Sequence, residues 1–214
     1  ENNQLIKKDI LIEDDLIVKI DDCIDKDCLT INADGCLVMP GAVDVHVHLR
    51  EPGFEHKETV ITGTTAAAKG GVTTIMSMPN LKPCPDCLSS LKKQLDIIEK
   101  DAIVNVYPYG AVTVNQEDTV LANIEEYKDL VVAITDDGRG VNNLELLKQA
   151  MLIAKENNLV IASHAEDNVY KYSPEGEYVA VRREIELAKE IARLTDENNK
   201  NIVTINDIAM VINN

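Results

Sequence analysis

Tryptophan is missing from the 214 residues, phenylalanine occurs once, as Phe54, and aromatic side chains make up only 3%. Ring anchors therefore cannot dominate the interior. Aliphatic packing must form it, which suits buried parallel strands. Basic residues are also scarce: 21 Lys and Arg stand against 37 Asp and Glu, a formal net charge of −16. That balance argues against a nucleic-acid partner, because phosphate binding needs clustered cations. An anionic membrane surface is disfavoured for the same reason. No apolar run is long enough to predict a transmembrane helix. The opening Glu1-Asn2-Asn3-Gln4 has neither the basic nor the apolar part of a secretion signal. The five cysteines are an odd number and read as reduced thiols, not as a disulfide framework. These absences together point to the cytoplasm.

Hydrophobic residues make up 45%, enough to bury a core. Residues 5–38 read as short strands at Ile10–Ile12, Leu16–Ile20, Leu29–Ile31 and Leu37–Met39, separated by Asp-rich turns. Residues 1–39 are thus expected to form a small β element. From residue 40 to 198 apolar strands alternate with helical stretches. Strands are expected at Val43–His48, Val72–Met78, Ile103–Val112, Val131–Thr135 and Leu159–Ser163. Helices are expected at Lys57–Lys69, Leu88–Lys100, Glu117–Lys128, Leu144–Asn157 and Tyr178–Leu194. Such alternation implies an α/β fold with a parallel sheet. The tail, residues 199–214, has strand character. It reads as a sixth strand of that sheet or as a strand returning to the small β element after a missing segment.

An open doubly wound sheet and a (β/α)8 barrel both fit the alternation. The first strand decides between them. It runs into His46-Val47-His48-Leu49-Arg50-Glu51-Pro52-Gly53, which is a cluster of ligating and charged side chains and not a phosphate loop. Barrel enzymes place such groups at the C-terminal ends of their strands. His46 and His48 stand two apart on a strand, so both imidazoles face one side and can hold one metal. A coincidental pair of histidines is the competing reading. Thr135-Asp136-Asp137-Gly138 ends the fourth strand, where two acids serve as ligands or as ordinary turn residues. Ser163-His164-Ala165-Glu166-Asp167 ends the fifth. In a barrel, these three strand ends meet at one mouth.

The stretch Pro40–Gly53 resembles the metal-binding signature of dihydroorotases, long bacterial type, in the amidohydrolase superfamily. Phe54–Thr59, Gly70–Thr74, Met78-Pro79-Asn80, Thr135–Gly138 and His164–Asp167 agree with it in order and spacing, over about residues 5–197. The resemblance implies a TIM-type (β/α)8 barrel, incomplete in this chain, with a β-sandwich appendage. It implies one or two zinc ions held by His46, His48, Asp137 and His164, with Asp137 preferred over Asp136. Arg50, Asn80 and His48 match substrate-binding positions, and a guanidinium fork suits a carboxylate. The implied reaction is the reversible cyclisation of N-carbamoyl-L-aspartate to L-dihydroorotate in pyrimidine biosynthesis. Allantoinases and hydantoinases differ where Arg50 stands. The family's sixth-strand His and its catalytic Asp near the eighth strand have no counterpart here, so no catalytic residue is assigned. That departure motivates an alternative: a non-catalytic, dihydroorotase-like subunit supporting aspartate transcarbamoylase. A homo-oligomer is expected as well.

A complete barrel takes roughly 250 residues, and residues 43–198 supply about five of its eight βα units. Cys84-Pro85-Asp86-Cys87 lacks a second pair at zinc spacing and reads as incidental loop thiols. The alternating charges of the last helix read as a solvated face, and His56 as a surface loop residue.

Overall fold

The computed structural model describes residues 5–196 and 208–210. The chain divides into two compact units, Glu1–Pro40 and Gly41–Asn214.

In the first unit, β1 (Asp9–Glu13) and β2 (Leu16–Asp21) form an antiparallel hairpin. Asp14 makes its turn in the left-handed region, with φ 53°. The strands expected at Leu29–Ile31 and Leu37–Met39 do not form. Apolar alternation supplies a sticky face, but a strand also needs a neighbour to satisfy its backbone groups. Neither segment has one among the described residues, and Leu29 and Ile31 remain 92% and 83% exposed. Among the described residues of 1–39 this hairpin is the only paired β structure.

The second unit is a parallel sheet flanked by helices. Its strands follow in chain order: β3 (Ala42–Val47), β4 (Val72–Ser77), β5 (Asn105–Gly110), β6 (Ala133–Ile134), β7 (Val160–Ser163) and β8 (Ile208–Met210). Every neighbouring pair is parallel. The pairing of β8 with β7 corresponds to the sixth-strand alternative for the tail; residues 197–207 and 211–214 lie outside the described residues.

Helix boundaries follow from local chemistry. Helix α1 (Val60–Lys69) starts at a capping box in which Thr59 and Thr62 bond each other's backbone N–H. It stops at Gly70-Gly71, where Gly71 takes φ 78° and turns the chain into β4. Helix α2 (Leu88–Asp101) follows β4. Helix α3 (Leu144–Glu156) is capped by the Asn143 side chain, which accepts from the Glu145 and Leu146 N–H groups. Helix α4 (Pro174–Asp196) begins earlier than expected, because proline is well placed in a first turn.

The expected helix at Glu117–Lys128 is replaced by short 3-10 turns, Ile124–Glu126 and Lys128–Leu130. Two of its polar residues are engaged by other loops. Asp118, at φ 56°, accepts from the Asn142 and Asn143 N–H groups, while the Asn123 N–H donates to the Asp86 carbonyl. Tyr127 is buried, its hydroxyl donating to the Ala111 carbonyl, and its ring lies so close to Gly110 that a Cβ there would stand 2.4 Å from it.

The main core includes Leu91, Val112, Ile124, Tyr127, Ile134, Leu147 and Ile191. A second cluster of Met78, Tyr109, Ala133 and Ala162 supports the strand ends, and a third joins Leu49, Val60 and Ile75.

Candidate metal centre

His46 lies near the end of β3 and His48 just beyond it. The 3.5 Å separations join His46 Nε2 to Asp137 Oδ1 and His48 Nε2 to Asp137 Oδ2. The two rings meet edge to face, with centroids 5.2 Å apart. The three ligand atoms all lie within 4.8 Å of one another. Ligands about 2.0–2.1 Å from one ion at tetrahedral angles stand about 3.3 Å from each other. The spacing therefore fits one ion between the two imidazoles and the carboxylate. The donor set of nitrogen, nitrogen and oxygen is also that of a zinc-type site.

Burial and the Arg50 charge push His48 below the usual histidine range; Asp137 opposes them. Depression keeps the imidazole neutral, the form that ligates metal. Arg50 occupies the left-handed region at φ 62° and makes no ion pair among the described residues. Tyr109, with its hydroxyl bonded to the Val45 carbonyl, is pushed up by burial and by Asp137.

His164 follows β7 and faces a cavity of about 10 Å³ shared with His46, Thr135 and Asp137. That is room for about one water or one ion. His164 does not join the close trio; its Nε2 stands 3.7 Å from Glu166 Oε2. Asn80 projects from the loop after β4. Both hydrogens of its amide nitrogen have acceptors, the Asp137 carbonyl at 2.8 Å and Gln116 Oε1 at 3.3 Å.

The two acids that end β6 have separate tasks. Asp137 faces the histidines. Asp136 is buried and accepts from Val112 N at 2.8 Å, from Thr113 N at 3.2 Å and from Thr113 Oγ1 at 2.5 Å. Burial pushes its carboxyl up to about 6, against the pull of those donors.

Several participants carry no sequence signal. Asp118 sits where a helix is expected and Gln116 just before it, and nothing local marks either. The α4 charges are not simply solvated. Arg183 donates to Asp167 Oδ2 at 2.7 Å, and Glu184 is only 4% exposed, beside Ser163 and His164, with its carboxyl pushed up by burial. Helical periodicity over Ala180–Leu187 places Glu184 with Ala180 and Leu187 on the inner face. Cys84 is buried with its thiol donating to the Pro79 carbonyl, and Cys87 caps α2. Neither belongs to a metal-ligand group among the described residues.

A parallel strand–helix sheet with His, His and Asp at its strand ends defines the class: a (β/α) barrel with a candidate metal site, carried in part. Solved structures agree. The L-hydantoinase (dihydropyrimidinase) from Arthrobacter aurescens superposes with a TM-score of 0.74 at 21% identity, over 89% of this chain and 48% of its own. The Saccharomyces cerevisiae dihydroorotase gives a TM-score of 0.55 at 18% identity, over 81% of this chain and 56% of its own. These likenesses establish the fold alone. The sequence establishes the family: residues 35–192 match the family model for dihydro-orotase-like proteins, and the chain belongs to that family. It is 47% identical over 169 residues to a dihydroorotase of Fusobacterium nucleatum and 45% identical over 170 residues to one of Bacillus thuringiensis. In both cases the match takes in 78% of this chain but 40% of the relative, so the chain spans less than half their length.

Proposed function

We propose that this chain carries the first metal-binding wall of a dihydroorotase, which interconverts N-carbamoyl-L-aspartate and L-dihydroorotate. The observation that supports this most directly is the convergence of His46, His48 and Asp137, with the Arg50 cation beside them. The roles assigned to individual residues follow from their chemistry. His46, His48 and Asp137 hold zinc, and His164, across the small cavity, serves the same ion or a second one. When bound, zinc polarises an amide carbonyl and lowers the pKa of a bound water toward about 7.

The chain's own groups orient the reactants. Among the described residues Arg50 has no ion-pair partner, and it offers a planar fork to a substrate carboxylate. Asn80 can join it only by releasing one of its present acceptors, because both hydrogens are engaged. The neutral state of His48, held by burial and by Arg50, keeps its ring available as a ligand at neutral pH. No residue of this chain is assigned the proton transfer to the leaving nitrogen. A cytoplasmic setting, homo-oligomerisation and an aspartate transcarbamoylase partner belong to the same reading.

Metal analysis and dihydroorotate hydrolysis test it together. The 214-residue chain is expected to retain zinc after gel filtration, and His46→Ala to lose it with at least about 10-fold weaker binding. Unchanged zinc content in His46→Ala would refute the ligand assignment. Dihydroorotate turnover is expected from the gene product that contains this chain, and Arg50→Ala should raise KM more than it lowers kcat. A zinc-free gene product without turnover would favour the supporting-subunit reading.

A further inference from the structure

Strands β3 and β4 do not pair evenly. Asp44 pairs with Ile75 and Val47 with Ser77, so three steps along β3 answer two along β4. One extra residue on one strand is the count of a β-bulge, and a bulge leaves backbone groups outside the ladder. Such groups need other partners. Here the Val45 carbonyl accepts from the Tyr109 hydroxyl at 3.1 Å, and the His46 N–H donates to Asp44 Oδ1 at 3.1 Å. A carbonyl only accepts, so the hydroxyl is the donor. The Val45 carbonyl and the His46 N–H are the two ends of one planar peptide group. Side chains therefore hold that plane at both ends, directly before the first histidine.

The two bonds differ in setting. Asp44 is exposed, and water competes for its bond. Tyr109 is only 4% exposed. It stands on β5 and reaches across β4 to β3, two inter-strand spacings or about 9–10 Å. Met76 of β4 lies along the path, with its sulfur 3.9 Å from the hydroxyl. The Tyr109 ring packs with Met78, Ala133 and Ala162. Ala133 is its direct partner on β6, where a small side chain leaves room for the ring. Met78 and Ala162 also line the small cavity with His46, Asp137 and His164. The ring thus packs against the walls of the candidate metal centre. Tyr107, two positions earlier on the same strand face, is 51% exposed and makes no side-chain hydrogen bond among the described residues.

We propose that Tyr109 is a positioning residue for the metal centre: its hydroxyl braces the β3 bulge and so sets where His46 stands. Rotation of the Val45–His46 peptide plane changes ψ of Val45 and φ of His46 together, and with them the direction of the His46 side chain. His46 Nε2 lies 3.5 Å from Asp137 Oδ1, a spacing that tolerates little rotation if one ion is to sit between them. Tyr109 acts through this peptide group and not through contact with the ion. Asp44 makes the same plane fast at its other end, with the smaller effect that an exposed bond carries. The inference rests on the reading of His46, His48 and Asp137 as metal ligands.

Cobalt titration of the metal-free 214-residue chain, with amide hydrogen exchange followed by NMR, tests the brace. Tyr109→Phe keeps the packed ring and removes only the hydroxyl. It should weaken cobalt binding about 10-fold, while Tyr107→Phe stays within about twofold of wild type. In the metal-free Tyr109→Phe protein the His46 and Val47 amides should exchange faster, with Ile161 in β7 unchanged. In the wild type, nuclear Overhauser contacts are expected between the Tyr109 ring protons and the Val45–His46 backbone. Their absence overturns the brace without recourse to any variant. Exchange that accelerates equally at Ile161 reveals general loosening and overturns it as well. Cobalt binding that Tyr109→Phe leaves unchanged, or that Tyr107→Phe weakens as much, overturns the brace and leaves the metal reading standing. A wild-type chain that binds no cobalt overturns both.

Discussion

The two units are written in a similar alphabet and use it differently. Both contain short aliphatic strands. In Gly41–Asn214, Ile75 and Ile134 are fully buried, whereas in Glu1–Pro40, Ile12 and Ile17 are 62% and 63% exposed. The side chains do not explain the difference. A sheet face is buried only when a second layer covers it, and the parallel sheet has helices where the hairpin has none among the described residues. The carboxylates differ in the same way. Lys7–Asp34 and Lys8–Asp22 are surface pairs, the kind that contribute little. Asp86, Asp118 and Asp136 accept backbone N–H groups from other loops and tie the strand ends together.

The largest test of that contrast is core truncation. Ile134→Ala should destabilise the protein by about 2–5 kcal/mol in urea denaturation, through lost burial and the cavity left behind. Ile17→Ala in the hairpin should change it by less than about 0.5 kcal/mol. Equal effects would show that the hairpin face is covered in solution and would break the comparison.

A smaller effect separates the carboxylates. Asp136→Asn keeps one oxygen but turns an NH2 toward the N–H groups of Val112 and Thr113. It should cost about 1–3 kcal/mol, while Asp34→Asn should cause no measurable change. The same substitution should leave His46 and His48 in place, so zinc content falls less than in His46→Ala. Loss of zinc equal to that of His46→Ala would mean that Asp136 is a ligand after all.

The legible part of this molecule was the part with a repeating signal. Strand–helix alternation marked each barrel element from β3 to α4, and His-x-His on a strand marked one side of the candidate metal site. The pairing of both histidines with Asp137 over Asp136 rested on resemblance and spacing, since two adjacent acids look alike until backbone donors select one. The rest depended on long-range partners. Residues 117–128 have helix-forming composition, yet the Asp118 carboxylate finds donors and the Asn123 N–H an acceptor in other loops, so the helix does not form. Leu29–Ile31 has a strand pattern and no ladder partner among the described residues. Gln116 is invisible because its value comes from Asn80, 36 positions away in the chain.

The smallest expected effect is a difference between two thiols three positions apart. Cys84 is buried, its sulfur bonded to the Pro79 carbonyl, and burial pushes its thiol well above the ordinary range. Cys87 is part-exposed at the start of α2, and the Ser89 and Ser90 hydroxyls lower its pKa by hydrogen bonding to the sulfur. The thiolate is the reactive form, so Cys87 should alkylate with iodoacetamide at least about 10-fold faster than Cys84, with its rate rising at lower pH than for a free thiol near 8.5. Cys23, Cys28 and Cys36 in the hairpin unit are all exposed, and no comparable divergence is expected among them. Mass spectrometry of partially labelled protein reads all five rates at once. Labelling of Cys84 as fast as that of Cys23 would mean that the loop between β4 and α2 opens readily. The strand ends would then lack the rigidity that the Asp86, Asp118 and Asp136 contacts imply, and the barrel unit would resemble the hairpin more than its burial suggests.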